Sequence, residues 1–289
     1  MIRRKKNYKV LALLLTLLAV VGLMGCGGGG GGTTSTSSAG STTGSDTIIS
    51  GLASDGPIAD GAVSIYAITN GQLGNLLAST VTGQDGSFTA NLGSYTSAMM
   101  LQVTGGSYVD DATGKTVQMG SMVLRTALSN AAGNVTVAIT PLTEIAVEYM
   151  GNTLTSDMIT LANNMMATEF GVNDIVHTMP MAVTNSSAAG AANTGSTYYG
   201  LMLGAMSQLA ASTNTTIPAM MPTMANAIKD TSSTGSQTLT SMMSLMSQYF
   251  TEFETGNSNN KTGVTNMTPG GMMASVGGMM GATSNTTVK

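Results

Sequence analysis

The chain has one cysteine, Cys26, and one histidine, His177, among 289 residues. A single cysteine excludes an intramolecular disulfide, so a hydrophobic core must hold the fold. A single histidine means that any Ser-His-Asp triad would have to use His177. Charge is scarce too: 8% of the residues are Asp, Glu, Lys or Arg, against about 25% in ordinary soluble proteins. Five of the ten Lys and Arg lie before residue 10, and the other five oppose 14 Asp and Glu, a net of −9. That balance excludes nucleic acid and anionic lipid head groups as partners, since both reward clustered cations. Gly-x-Ser-x-Gly, His-Glu-x-x-His and a Gly-Lys-Ser/Thr phosphate loop are missing. The carboxylates Asp110-Asp111 and Glu252/Glu254 read as turn and surface charges, and no nucleophile, base and orienting group can be assembled from the rest. The expectation is a protein that is not an enzyme and carries no cofactor.

No apolar run is long enough for a membrane span. Val10 to Val21 holds twelve residues with only Thr16 polar, too few to cross a hydrocarbon core of ~30 Å as a helix. Arg3, Arg4, Lys5, Lys6 and Lys9 precede it, so residues 1–25 read as a secretory leader. The leader ends Leu23-Met24-Gly25-Cys26, which resembles the lipobox of bacterial lipoproteins. The resemblance implies that Cys26 is lipidated and becomes the first mature residue, so the membrane is a partner through the acyl anchor. One acyl chain binds a bilayer only marginally, whereas several anchor it stably. Gly27 follows, where an Asp would favour inner-membrane retention. The implied location is the outer membrane, at its periplasmic face or on the cell surface.

Residues 26–46 read as a tether. Gly27 to Gly32 are six consecutive glycines, and Thr33 to Asp46 is nearly all Thr, Ser and Gly. Nothing apolar larger than Ala occurs to offset the entropy of ordering. Such a flexible chain has a root-mean-square span of ~25 Å.

Residues 47–140 read as short alternating strands parted by Gly, Asp and Asn turns, which indicates a small antiparallel sandwich. Val63, Ile65 and Ala67 alternate with Ser64, Tyr66 and Ile68; Phe88, Ala90 and Leu92 alternate with Thr89 and Asn91. The run Gly51 to Tyr66 (GLASDGPIADGAVSIY), with Ser79 to Phe88 (STVTGQDGSF), resembles the carboxypeptidase regulatory-like domain. That resemblance implies a prealbumin-like antiparallel β-sandwich of about seven strands, an accessory module with no reaction of its own.

At Thr140 the period changes from two to 3.6. Thr140-Pro141 is a cap followed by proline at the first helical position, with Glu144 in the first turns. Further helices fit Ser156–Phe170, Tyr198–Ala211, Pro218–Lys229 and Leu239–Phe253. The chain thus reads as α+β and multidomain, with a helical domain over 141–256 and a flexible Gly-, Met- and Asn-rich tail over 257–289. The order VTVAITPLTE, FGVNDI and YYGLMLGAMSQLA is similar to a group of uncharacterised exported bacterial lipoproteins that pair such a sandwich with helices.

Two metal readings stand beside a structural one. In His177-Thr178-Met179-Pro180-Met181, an extended backbone would put His177, Met179 and Met181 on one side, a soft ligand set for Cu(I). The 25 methionines equally serve as adaptable core fillers. Asp55, Asp60, Asp85, Asp110 and Asp111 fall in sandwich loops and could offer oxygen to Ca²⁺, although Asp is also a turn residue. The functional expectation is a lipid-anchored envelope protein with a non-enzymatic binding or structural role, an envelope protein or a carbohydrate being its partner class. The alternative is a ligand-handling or metal-handling protein for Cu(I) or Ca²⁺.

Overall fold

The computed structural model describes residues 46–269, which fall within one compact unit. It is mixed α+β, with antiparallel sheets and five α-helices. The strands are β1 (Ile48–Ala53), β2 (Ala62–Thr69), β3 (Gln72–Val81), β4 (Ser87–Asn91), β5 (Met99–Thr104), β6 (Ser107–Val109), β7 (Thr116–Gln118), β8 (Val123–Leu128) and β9 (Asn134–Ile139). The order β3-β2-β5-β8 makes a fully antiparallel four-stranded sheet. A second sheet, β4-β1-β9, pairs β1 antiparallel to β4 but parallel to β9. A separate hairpin joins β6 to β7. The two main sheets hold seven strands and the hairpin two more, and one pair, β1 with β9, is parallel where an antiparallel sandwich was expected. Alternation fixes which face of a strand is buried, not its partner or direction.

In β2, Val63 and Ile65 are fully buried between half-buried Ser64 and Tyr66. Strand β5, paired on both edges, buries Met99, Met100, Leu101 and Val103. Strand β3 lies at a sheet edge and leaves Leu73, Leu76 and Val81 exposed.

The helices follow: α1 (Pro141–Met150), α2 (Ser156–Phe170), α3 (Gly195–Ser212), α4 (Ile217–Lys229) and α5 (Ser233–Gly256). Helix α1 begins where the Thr140-Pro141 signal places it. Its capping box closes through Thr143, whose Oγ1 accepts from the Thr140 amide at 2.9 Å while Thr140 Oγ1 accepts from the Thr143 amide at 3.3 Å. Glu144 turns instead to β8, where the Arg125 guanidinium donates from Nε at 3.0 Å and also reaches Glu148 at 2.7 Å. A single hydrophobic core runs through both main sheets and all five helices. Tyr199, fully buried on α3, ties the strand–helix junction: its hydroxyl donates to the Ile175 carbonyl at 3.1 Å and accepts from Thr140 Oγ1 at 2.6 Å.

Residues 257–269 fall in the stretch read from sequence as a tail. They run back along the fold. Asn257 and Asn259 each donate a side-chain amide to the Ala112 carbonyl at 2.9 Å. The Lys261 amide donates to the Val183 carbonyl, and the Met267 amide to Glu254.

Candidate functional site

Leu23, Met24, Gly25 and Cys26 lie outside the described residues. His177 does not sit in an extended segment. Asp174 Oδ1 accepts from the amides of Val176 and His177 at 2.8 and 2.9 Å, which closes a turn. The turn aims the ring at β9, where Nδ1 meets the Thr136 carbonyl at 2.8 Å. A carbonyl only accepts, so Nδ1 is the donor in this bond. Met179 and Met181 are half-buried and pack on the core, and the Met181 sulfur accepts from Thr197 Oγ1 at 3.9 Å.

His177 does line a cavity of about 180 Å³; Met179 and Met181 do not. Its wall is made by α2, the loop after β8 and the turn at Asp174, and it includes Asn130, Asn163, Asn164 and Asn173. Asn163 Nδ2 donates to the Ala127 carbonyl at 3.0 Å, which fixes the amide. Asn163 Oδ1 is then buried without a hydrogen-bond partner. A buried acceptor left unmade costs about 1–3 kcal/mol, so it asks for a donor. A second, larger cleft of about 730 Å³ shares Asn164, Ala167 and Asn173 with the first and continues past Asn193 and Thr194 to Tyr198 at the start of α3. The combined surface is rich in amides and hydroxyls, and its ionisable groups are Asp174, His177 and the buried Tyr198.

None of these asparagines stood out in the sequence. The usable signal was Asn163-Asn164 in the interior of a helix, where Asn forms helix poorly and tends to cap or turn instead.

The loop aspartates divide into two kinds. Asp60 and Asp85 serve turns: Asp85 Oδ1 accepts from the Ser87 amide and hydroxyl at 3.0 and 2.6 Å, which lowers its pKa. Asp55, Asp110 and Asp111 gather at one end of the strands. Gly56, at φ +76°, lets the β1–β2 turn press on β6, since a Cβ there would lie 2.1 Å from the Val109 carbonyl oxygen. That brings Asp55 under the Tyr108 hydroxyl, which donates to it. Asp55 and Asp111 are only 3% and 4% exposed. Among the described residues, no group of three or more His, Cys, Asp or Glu is arranged to hold a metal ion.

No family model and no curated protein matches the chain. Solved structures give weak likenesses. An (S)-allantoin synthase is 12% identical over 34% of this chain and 41% of its own, at a TM-score of 0.23. The shaft pilin SpaA from Lactobacillus rhamnosus GG is 14% identical over 34% of this chain and 49% of its own, at 0.22. A 9R-lipoxygenase from Cyanothece PCC8801 is 11% identical over 69% of this chain and 26% of its own, at 0.19. The chain thus spans less than half of each of these, and at such TM-scores none bears on fold or activity. Among the described residues no helix is long and apolar enough to cross a membrane.

Proposed function

We propose that this is a lipid-anchored outer-membrane protein that binds a small, uncharged, hydroxyl-rich ligand, of the carbohydrate class, without transforming it. Cys26 carries the anchor and residues 26–46 the tether. The two main sheets form a prealbumin-like sandwich that supports the helices, a reading favoured by their shared core.

The observation that carries the binding role is Asn163 Oδ1, a buried acceptor without a partner in an amide-lined cavity. A hydroxyl satisfies it as donor and can accept in turn from neighbouring amides. The smaller cavity, about 180 Å³, lies below the ~300–1,000 Å³ of common ligand pockets and suits one sugar-sized unit. The adjoining cleft would take what extends from it. Isothermal titration of the full-length protein in detergent against neutral mono- and disaccharides tests this. Saturable binding to one of them is expected, abolished by Asn163→Ala and retained in part by Asn163→Asp, which keeps the acceptor. No saturable binding to any sugar would refute the ligand class.

A further inference from the structure

The turn after β6 holds a second arrangement, built from residues other than those that line the smaller cavity. The turn Asp110–Thr113 is tied to three segments distant in sequence. Asp110 Oδ1 accepts from the Thr113 amide at 2.8 Å and hydroxyl at 2.6 Å, and Asp110 Oδ2 accepts from Ser207 on α3. Asp111 Oδ1 accepts from Thr184 at 3.3 Å. The Ala112 carbonyl accepts from Asn257 and Asn259 of the strap after α5. Asp55 packs against this turn from the β1–β2 side, with Oδ2 buried and unpartnered.

Among the described residues, no ion pair is seen at Asp55, Asp110 or Asp111. The β6–β7 hairpin brings Tyr108, Asp110, Asp111 and Lys115. Helix α3 brings Ser207 and Gln208 and holds no charged residue. Helix α5 brings Glu252 to the rim beside Ala112 and Thr113. The strap brings Lys261, whose Nζ donates to the Ser258 carbonyl at 2.6 Å. The ion pairs of Arg125 with Glu144 and Glu148 do not reach this junction. Two carboxyl groups buried without a cation favour the neutral form, since burial penalises the charged one.

We propose that Asp55 and Asp111 work as a proton-operated latch: while both are protonated, the Asp110–Thr113 turn stays closed on α3 and holds the strap at 257–259, and their ionisation releases the strap. Desolvation pushes Asp55 up to about 7 and Asp111 up to about 8, and the neighbouring acids push the same way. The sign follows from linkage. A carboxyl whose folded pKa is raised contributes its closing free energy fully below the ordinary carboxyl value near 3.8, and that contribution is lost as pH rises through the folded values. The closing contribution is whole below about pH 4, weakens steadily as pH rises through mild acid, and is gone above about pH 8, the window set by the ordinary carboxyl value of 3.8 and the two raised ones.

The test is amide exchange of the full-length protein in detergent at pH 5.5 and 8.5, corrected for intrinsic exchange, read on peptides covering 254–267. The wild type should open at least about tenfold more often at pH 8.5, the ratio that one displaced pKa unit carries. Asp55→Asn/Asp111→Asn, with neutral amides standing for the protonated acids, should stay closed at both pH values. If the double variant does not fold, each single substitution should remove one of two opening steps. A wild-type strap that exchanges equally at both pH values would overturn the latch, as would a pH response that survives in the double variant. Repeating the pH 8.5 arm with millimolar CaCl₂ and with EDTA covers a rival. If calcium re-closes the wild type but not the double variant, the occupant is a cation and the proton latch is wrong.

Discussion

Helix α3 is crossed at two glycines that are four residues apart and therefore share a face. A Cβ on Gly204 would lie 2.3 and 2.4 Å from the Phe253 ring of α5, and Phe253 is fully buried. A Cβ on Gly200 would lie 2.2 Å from the Met181 carbonyl oxygen and 2.7 Å from Val183 Cγ1. Two opposed effects decide what alanine does. Helix propensity favours Ala over Gly by about 1 kcal/mol. Overpacking a closed core costs about 1–3 kcal/mol, sometimes more. At Gly204 the obstacle is a side chain with no free space, so Gly204→Ala should lose about 1–2 kcal/mol net. At Gly200 the obstacle is backbone, held by the Met181 amide donating to the Ser196 carbonyl at 2.9 Å. Gly200→Ala should lose more, about 2–3 kcal/mol net. Urea unfolding at constant m-value measures both. Phe253→Leu shortens the ring that meets the new methyl group, so Gly204→Ala and Phe253→Leu should couple favourably by about 1 kcal/mol in a double-mutant cycle. Trimming Val183 should not rescue Gly200→Ala, because the carbonyl remains. A Gly204→Ala protein that is more stable than wild type, with no coupling to Phe253, would refute the close crossing of α3 and α5.

Cys26→Ser should leave the protein unlipidated, and fractionation should find it released from the membrane or stalled as a precursor; unchanged detergent-phase partitioning would rule out the lipid anchor. His177→Ala removes the bond to Thr136 and should cost about 1 kcal/mol of stability. In a Cu(I) chelator competition the wild type and this variant should behave alike; one Cu(I) held by the wild type and none by the variant would instead establish His177 as a metal ligand.

What the sequence made legible was local. The Thr140-Pro141 boundary, the helix from Ser156 to Phe170 and the alternation of β2 and β4 rest on signals within a few residues. Strand β8 carries no such signal: Thr126, Ala127 and Leu128 are all buried where α1 and α2 pack over them, so the period of two is lost in its second half. Helix α5 begins at Ser233, six residues before the Leu239 that the sequence pattern predicts, because Ser233-Thr234-Gly235-Ser236 is a poor helix sequence. What secures it is the Gly235 amide donating to Ser232 Oγ at 3.1 Å, beside an Asp230 carboxylate that packs too closely for any side chain at 235. The candidate cleft was invisible for a different reason. Asn163, Asn173 and His177 converge only once α2 lies on the strands, and nothing in their spacing announces it.

The acidic junction joins both kinds of information. Asp110 does what turn chemistry expects, capping Thr113. Doing so sends the next residue, Asp111, the other way and into the interior, where Thr184 is its partner. Local signals supply the turn, and only the fold supplies the burial. Composition then limits how that burial can be compensated. Lys115, Arg125, Lys229, Lys261 and Lys289 are the cations beyond the leader. Arg125 is engaged by Glu144 and Glu148, Lys229 donates to the Glu148 carbonyl beside the Tyr149 ring, and Lys261 donates to the Ser258 carbonyl. A chain this poor in positive charge leaves protons as its most available counter-charge, which is why its internal acids and the surrounding pH are coupled.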